Sequence, residues 1–272
     1  MKKSTIKDVA REAGVSVATV SYVINNKEGQ KISPATKKKV LQIVNLLNYT
    51  PNSSAQNLSN NHNSYIAVHY PAINNYFQSL DVAFFIEKLS QALVLEKYNL
   101  VYIPSDANTA INQVAGIICF NETKDSFFNI SESNLAPIIA VDCIVNNDLF
   151  YQLNFDFESL RVNADIYFKG EPSKLVCLNV HNELLKEKIY KSFPQVLFLN
   201  SYEDFVSIQK EPKQNIVLIN PSLNELFAGN SATNHSVYFQ TMHGDQKFST
   251  IIALLQSAIK RVEKQNHDVM YS

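Results

Sequence analysis

The chain has 272 residues, 46% of them hydrophobic and 18% charged, which supplies a core, excludes a disordered polymer and calls for a compact body with a smaller companion domain. Its net charge of −1 hides an asymmetry: residues 1–61 carry nine Lys or Arg against three Asp or Glu, or +6, so the rest carries −7. A small basic head on an acidic body is the charge layout of a nucleic-acid contact joined to a domain with another task. No apolar run approaches 18 residues and the N-terminal lysines lead into no apolar segment, so neither a membrane span nor export is expected, and the expected location is the cytoplasm. Cys119, Cys143 and Cys177 are far apart, sit in apolar runs and form no Cys-x-x-Cys pair, which reads as buried, reduced thiols.

In chain order, Thr5 precedes Ile6, Val9, Ala10 and Ala13 at helical spacing, and Asp8 completes a variant capping box. Gly14 ends that helix. Ser16 caps a second helix whose Val20, Val23 and Ile24 face inward, while Val17, Ala18, Ser21, Tyr22 and Asn25 face outward. Two short helices joined by a tight glycine turn make a helix-turn-helix. After a polar loop, Ser33-Pro34 opens a longer helix with Val40, Leu41, Val44 and Leu47 as its apolar positions. Its Lys37, Lys38 and Lys39 lie in the early turns, where the helix dipole favours acids, so a phosphate partner explains them better than helix stability does; a solvated face is the competing explanation.

The segments TIKDVAREAGVSVATVSYVIN and ISPATKKKVLQIVNLLNYTPNSSAQNL resemble the DNA-binding head of the LacI/GalR family of bacterial repressors from Thr5 to Leu58. The resemblance implies that the helix from Val17 to about Asn25 enters the major groove, with Val17, Ala18 and Tyr22 facing base edges. Two of these are small and apolar, suited to thymine methyl groups but not to bidentate bonds. Thr5, Ser16, Thr19, Ser21, Asn25 and Lys38 are the implied backbone contacts, which set register rather than sequence preference. The polar segment Pro51–Asn61 is too short to be a stable helix alone. In the family its equivalent folds on the operator beside its dimer mate, which extends the implied contacts to Asn52, Ala55, Gln56 and Leu58, with Leu58 as the minor-groove wedge.

From about Tyr65, apolar runs alternate with amphipathic stretches. Strands are predicted at Tyr65–Tyr70, Leu100–Ile103, Gly116–Phe120, Ile138–Val141, Leu175–Asn179, Ile216–Asn220 and Val237–Phe239. Helices are predicted at Leu80–Tyr98, Phe157–Phe168, Glu183–Phe193 and Phe248–Val262. This alternation argues an α/β, doubly wound body. The resemblance makes it a periplasmic-binding-protein-like pair of Rossmann-like subdomains with a ligand between them. The expected division is a helix-turn-helix domain over 1–50, a hinge helix or linker over 51–61, and an effector-binding and dimerisation domain over 62–272. Within the last, one subdomain takes about 62–156 plus 240–272 and the other about 157–239.

The body departs from the family pattern. Lys186 stands before Ile189-Tyr190 where the family has an arginine before a Gly-aromatic pair, Asn220-Pro221 replaces Asn-Asp, and a late strand with paired aspartates has no counterpart. Losing a bidentate arginine and two acids removes hydroxyl-binding chemistry from a sugar site. Tyr76, Phe77, Asp142, Lys186 and Gln240 occupy the matching positions and are the candidate effector contacts; each has a bland alternative as core, loop cap or solvated surface.

Three functions compete. The first is a dimeric, sequence-specific transcriptional regulator, a repressor on a palindromic operator, modulated by a sugar, sugar phosphate or nucleobase. The second is the same DNA-binding regulator with a decayed pocket, independent of effectors or answering to a protein partner. The third is a free-standing ligand-binding protein, which would need export and no basic head. Catalysis is not expected: six glycines form no phosphate loop or nucleophile elbow, and six histidines form no metal motif. No catalytic residue, metal or cofactor is therefore assigned.

Overall fold

The computed structural model describes residues 5–24, 32–47, 65–73, 75–103, 111, 114–229, 235–261 and 266–272. The chain divides into two compact units, Met1–His62 and Asn63–Ser272. Asn25, Asn52, Ala55, Gln56 and Leu58, with the whole segment 51–61, lie outside the described residues.

The first unit holds α1 (Ile6–Ala13), α2 (Val17–Ile24) and α3 (Pro34–Leu46). Thr5 Oγ1 accepts from the Asp8 amide while the Asp8 carboxylate accepts from the Thr5 amide and hydroxyl. These bonds hold the Asp8 carboxyl below its ordinary range. Gly14 caps α1 at φ 68°, a left-handed turn natural to glycine. Ser16 and Ser33 repeat the capping on α2 and α3, accepting from the Thr19 and Thr36 amides at 3.0 and 3.1 Å. Val9, Ala10, Ala13, Val20, Val23 and Val40 close the core. Leu41, expected there, is 43% exposed, and Ile43 packs instead. The reason is the helical period: with Val40 pointing inward, positions 43, 44 and 47 share its face and 41 is turned away.

The second unit is α/β, built on two wholly parallel sheets. The larger joins β1 (Tyr65–His69), β2 (Asn99–Ile103), β3 (Gly116–Phe120), β4 (Ile138–Val141), β5 (Tyr151–Phe155) and β10 (Asp268–Tyr271), in the order β10-β5-β4-β3-β1-β2. The smaller joins β6 (Ser173–Leu178), β7 (Val196–Leu199), β8 (Asn215–Leu218) and β9 (Ser236–Phe239), in the order β7-β6-β8-β9. The helices of this unit are α4 (Tyr76–Leu95), α5 (Lys124–Ser133), α6 (Phe157–Tyr167), α7 (Glu183–Ser192), α8 (Tyr202–Gln209), α9 (Pro221–Gly229) and α10 (Asp245–Lys260). Helix α10 returns to the larger sheet and packs on β3, β4, β5 and α4. The approach is close: a Cβ on Gly116 would stand 2.8 Å from the Leu255 side chain and 3.3 Å from the Pro137 carbonyl oxygen. Cys119, Cys143 and Cys177 are all buried and free. Among the described residues no helix is long and apolar enough to cross a membrane.

Candidate nucleic-acid interface and interlobe cleft

On the head, α2 buries Val20 and Val23 and turns Val17, 40% exposed, and Ala18 outward. Thr19, Ser21 and Tyr22 are half-buried, so Tyr22 is less fully outward than its helical position implies. The Ser16 hydroxyl, expected on phosphate, is already engaged with the Thr19 amide and hydroxyl as the cap of α2. Lys37, Lys38 and Lys39 are exposed. Lys39 has a local explanation, because its ammonium stands 3.9 Å from the Cβ position of Gly14, beside the C-terminal turn of α1 where the helix dipole favours a cation.

In the second unit, a cleft opens at the C-terminal ends of the strands, where open parallel sheets bind ligands. Asn121 follows β3 and Asp142 follows β4, and both adopt left-handed backbone, φ 53° and 49°. Strained non-glycine residues of this kind cluster at functional sites. The smaller sheet closes the cleft from the other side. Its His181 amide donates to Asn121 Oδ1 at 3.0 Å, and the fully buried Asn182 donates to the backbone carbonyls of Glu122 and Ile144 while its own Oδ1 caps α7.

Beneath the cleft runs a chain of buried polar groups. The Lys247 ammonium, wholly buried, lies 2.6 Å from Asp142 Oδ2 and 3.3 Å from His243 Nδ1. Tyr271 donates to Asp142 Oδ1 at 2.9 Å, and His243 Nε2 lies 3.2 Å from Asp81 Oδ2. An ammonium has only donors, so His243 Nδ1 accepts from Lys247 and Nε2–H donates to Asp81. The rings of Phe85, Phe120 and Tyr271 stand 5.0–5.2 Å from the Lys247 ammonium, within cation–π range. Burial lowers the Lys247 pKa, opposed by Asp142 and Asp81. For Asp81, burial pushes upward, but His243, the Asn220 amide and Lys247 outweigh it and hold the carboxyl below its ordinary value.

The candidate effector residues are not brought together. Asp142 lines the cleft, but both of its oxygens are occupied from within. Asn75 caps α4, accepting from the Gln78 amide at 2.9 Å, so the helix starts earlier than its apolar pattern indicates and Tyr76 and Phe77 form its first turn. Tyr76 is 72% exposed, and Phe77 is buried with Val176, Leu178 and Phe205 in the core of the smaller sheet. Lys186 pairs with Glu183 of its own helix at 2.8 Å on the surface. Gln240 accepts from Asn163 and from the Tyr238 hydroxyl. In their place the cleft is lined by Asp81, Asn121, Asn179 and Asn220 with the rings of Tyr70 and Phe157. Its free volume is about 30 Å³, the room of one water. A larger cavity of about 470 Å³ lies at the opposite ends of β4 and β5, beside Arg261 and His267, and no candidate effector residue lines it.

Lys247 was legible in principle: it begins the i, i+4, i+7, i+8 row continued by Ile251, Leu254 and Leu255, all buried. A lysine on that row demands an anionic partner inside. Asp81 likewise interrupts an apolar stretch, LDVAFF. Neither signal names its partner.

The family model described as "Bacterial regulatory proteins, lacI family" matches residues 5–52. The chain is 33% identical over 172 residues to catabolite control protein A of Priestia megaterium, covering 59% of this chain and 50% of that protein. It is 31% identical over 212 residues to catabolite control protein A of Staphylococcus xylosus, covering 73% and 63%. The chain thus spans about half to three-fifths of the length of these relatives. In fold it is similar to a lac repressor dimer bound to operator and the anti-inducer ONPF, with a TM-score of 0.61 at 19% identity over 99% of this chain and 97% of that one. It is also similar to the transcriptional regulator CelR in complex with cellobiose, with a TM-score of 0.52 at 14% identity over 98% and 97%. The head, residues 5–52, is thus matched by the lacI family model of bacterial regulatory proteins, and the body behind it shares the fold of these solved structures.

Proposed function

We propose that the protein is a cytoplasmic, sequence-specific transcriptional regulator, a repressor that binds a palindromic operator as a homodimer and takes a small molecule between the lobes of its body. The observation that carries this is the capped three-helix head, whose second helix turns Val17 and Ala18 outward on a basic segment. One recognition helix reads too few bases for useful specificity, which is the argument for two copies on a two-fold operator. In this reading the head and segment 51–61 contact DNA and residues 62–272 dimerise and sense. The DNA contacts would be Val17, Ala18 and Tyr22 on bases, with Thr5, Ser16, Thr19, Ser21, Asn25 and Lys38 on the backbone. Asn52, Ala55 and Gln56 would contact the DNA from the hinge segment, with Leu58 as the minor-groove wedge. Nothing in the reading requires catalysis.

A specific observation favours a second reading, regulation without an effector: Asp142 is satisfied by Lys247 and Tyr271, and the cleft has room for about one water. The deciding experiment is fluorescence anisotropy of an operator selected from a random pool, titrated at fixed salt with and without sugars, sugar phosphates, amines and nucleobases. Tight specific binding shifted by one compound supports control by a small molecule. Tight binding indifferent to all of them supports the second reading, and failure to select any sequence defeats both.

A further inference from the structure

The geometry points to a small organic cation, an ammonium compound, as the ligand of the interlobe cleft, with Asp81 as its anchor; this rests on the regulator reading with a ligand-binding body. The polar chain beneath the cleft carries two carboxylates, Asp81 and Asp142, against one ammonium, Lys247, with His243 between Lys247 and Asp81. Lys247 is spent on Asp142, and among the described residues no Lys or Arg lines the cleft. Asp81 is the carboxylate left without an ammonium of its own. Its Oδ2 is met by His243 and the Asn220 amide also steadies the carboxyl, but its Oδ1 is buried and accepts no hydrogen bond among the described residues.

A buried carboxylate oxygen without a donor is costly, and a donor from a ligand removes that cost. Charge decides which donor. An ammonium supplies hydrogen bonds and an opposite charge, a hydroxyl supplies only the hydrogen bond, and a phosphate or carboxylate sets a like charge beside Asp81 in a place of low polarity. The walls agree. Tyr70, Phe120 and Phe157 line the same cleft, and the protein already uses aromatic faces around an ammonium at Lys247, where Phe120 takes part. The Asn179 and Asn121 side chains line the same cleft and add polar character to its walls. Since the closed cleft holds about 30 Å³, the ligand enters by parting the lobes, the ordinary motion of two-lobed binding domains.

The test uses ligands matched in shape and differing in charge, measured calorimetrically on the full chain: glucosamine, glucose and glucose 6-phosphate, and benzylamine, benzyl alcohol and benzoate. In at least one set the cation should bind at least tenfold tighter than the neutral compound and the anion should bind weakest. Asp81→Asn should reduce the preference for the cation to under twofold. Circular dichroism checks that this variant folds, and if it does not, Asp81→Glu, which keeps the charge, must keep the order of affinities. An anion or a neutral compound binding as tightly as the cation overturns the inference, as does the absence of millimolar binding by all six compounds. Operator binding measured on the same preparation separates the two failures: intact operator binding without cation preference sinks this inference alone, whereas loss of operator recognition sinks the regulator reading.

Discussion

Replacing Lys247 by methionine keeps the aliphatic stem and removes the charge that Asp142 faces at 2.6 Å. Asp142 would then be a carboxylate 2% exposed, held only by the Tyr271 hydroxyl, and His243 would lose the donor to its Nδ1. Breaking a buried ion pair by deleting one partner costs about 3–5 kcal/mol, because the survivor keeps its desolvation penalty. For a body of this size that lowers Tm by roughly 10 °C. Asp142→Asn in the Lys247→Met background removes the stranded charge, so the double variant should be at least ~1.5 kcal/mol more stable than the sum of the singles. Urea titration followed by near-ultraviolet circular dichroism is suited to this, since 13 tyrosines and no tryptophan report on packing in the chain. A loss below about 1 kcal/mol for Lys247→Met, or additivity within about 0.5 kcal/mol, would show that the pair is not the buried lock described here.

Gly116→Ala should cost about 1–3 kcal/mol, read from the urea midpoint, because its Cβ meets Leu255 at 2.8 Å beside a backbone oxygen that cannot retreat. Burial pushes the Cys143 thiol up to about 12 from its ordinary 9.0. The folded chain therefore keeps a proton that the unfolded chain releases above pH 9, and stability falls as pH rises from 9 towards 12, by about 1.4 kcal/mol at pH 10 from this group. Cys143→Ala should flatten that decline relative to the parent, and parallel curves would remove the thiol as its cause. On the head, Lys38→Ala should weaken binding to all DNA sequences alike and make the salt slope shallower by about one; an unchanged slope strikes Lys38 from the phosphate contacts. Leu58→Ala should weaken operator binding more than non-specific binding, since a wedge contributes only where the duplex kinks, and equal losses would count against the wedge.

What could be read in the sequence follows from how local each cause is. The caps of α1, α2 and α3 are made by Thr5, Ser16 and Ser33 on amides three residues away, so the head is written in neighbouring letters. The seven expected strands are also present; β3 and β4, buried at every position, show as continuous apolar runs. The strands at Tyr151–Phe155, Val196–Leu199 and Asp268–Tyr271 were not expected, nor were the helices at Lys124–Ser133, Tyr202–Gln209 and Pro221–Gly229. Three of these six are four-residue strands or eight-residue helices, too short for periodicity to separate from loop. Helix α5, KDSFFNISES, is marked instead by its Thr123 cap, whose hydroxyl accepts from Ser126 at 3.1 Å.

The cleft was illegible for a different reason. Positions matched to a family locate where its members place ligand contacts, but the chemistry there depends on residues that meet only after folding. Asp142 stands where expected, yet its charge is answered by Lys247 and its second oxygen by Tyr271, 105 and 129 residues away. Tyr76 and Phe77 follow the first strand as expected, yet the Asn75 cap draws them into a helix, and Phe77 is then placed by its packing in the smaller sheet's core. A lysine on an apolar helical row, an aspartate inside an apolar stretch and a strand after the last helix are each unremarkable alone. Joined by the sheet order that sets β10 against β5 and α10 across β4, they replace the site that the aligned positions describe. The proposed cation preference is therefore tested at Asp81, which is unlike the aligned contacts in keeping one oxygen without a donor among the described residues.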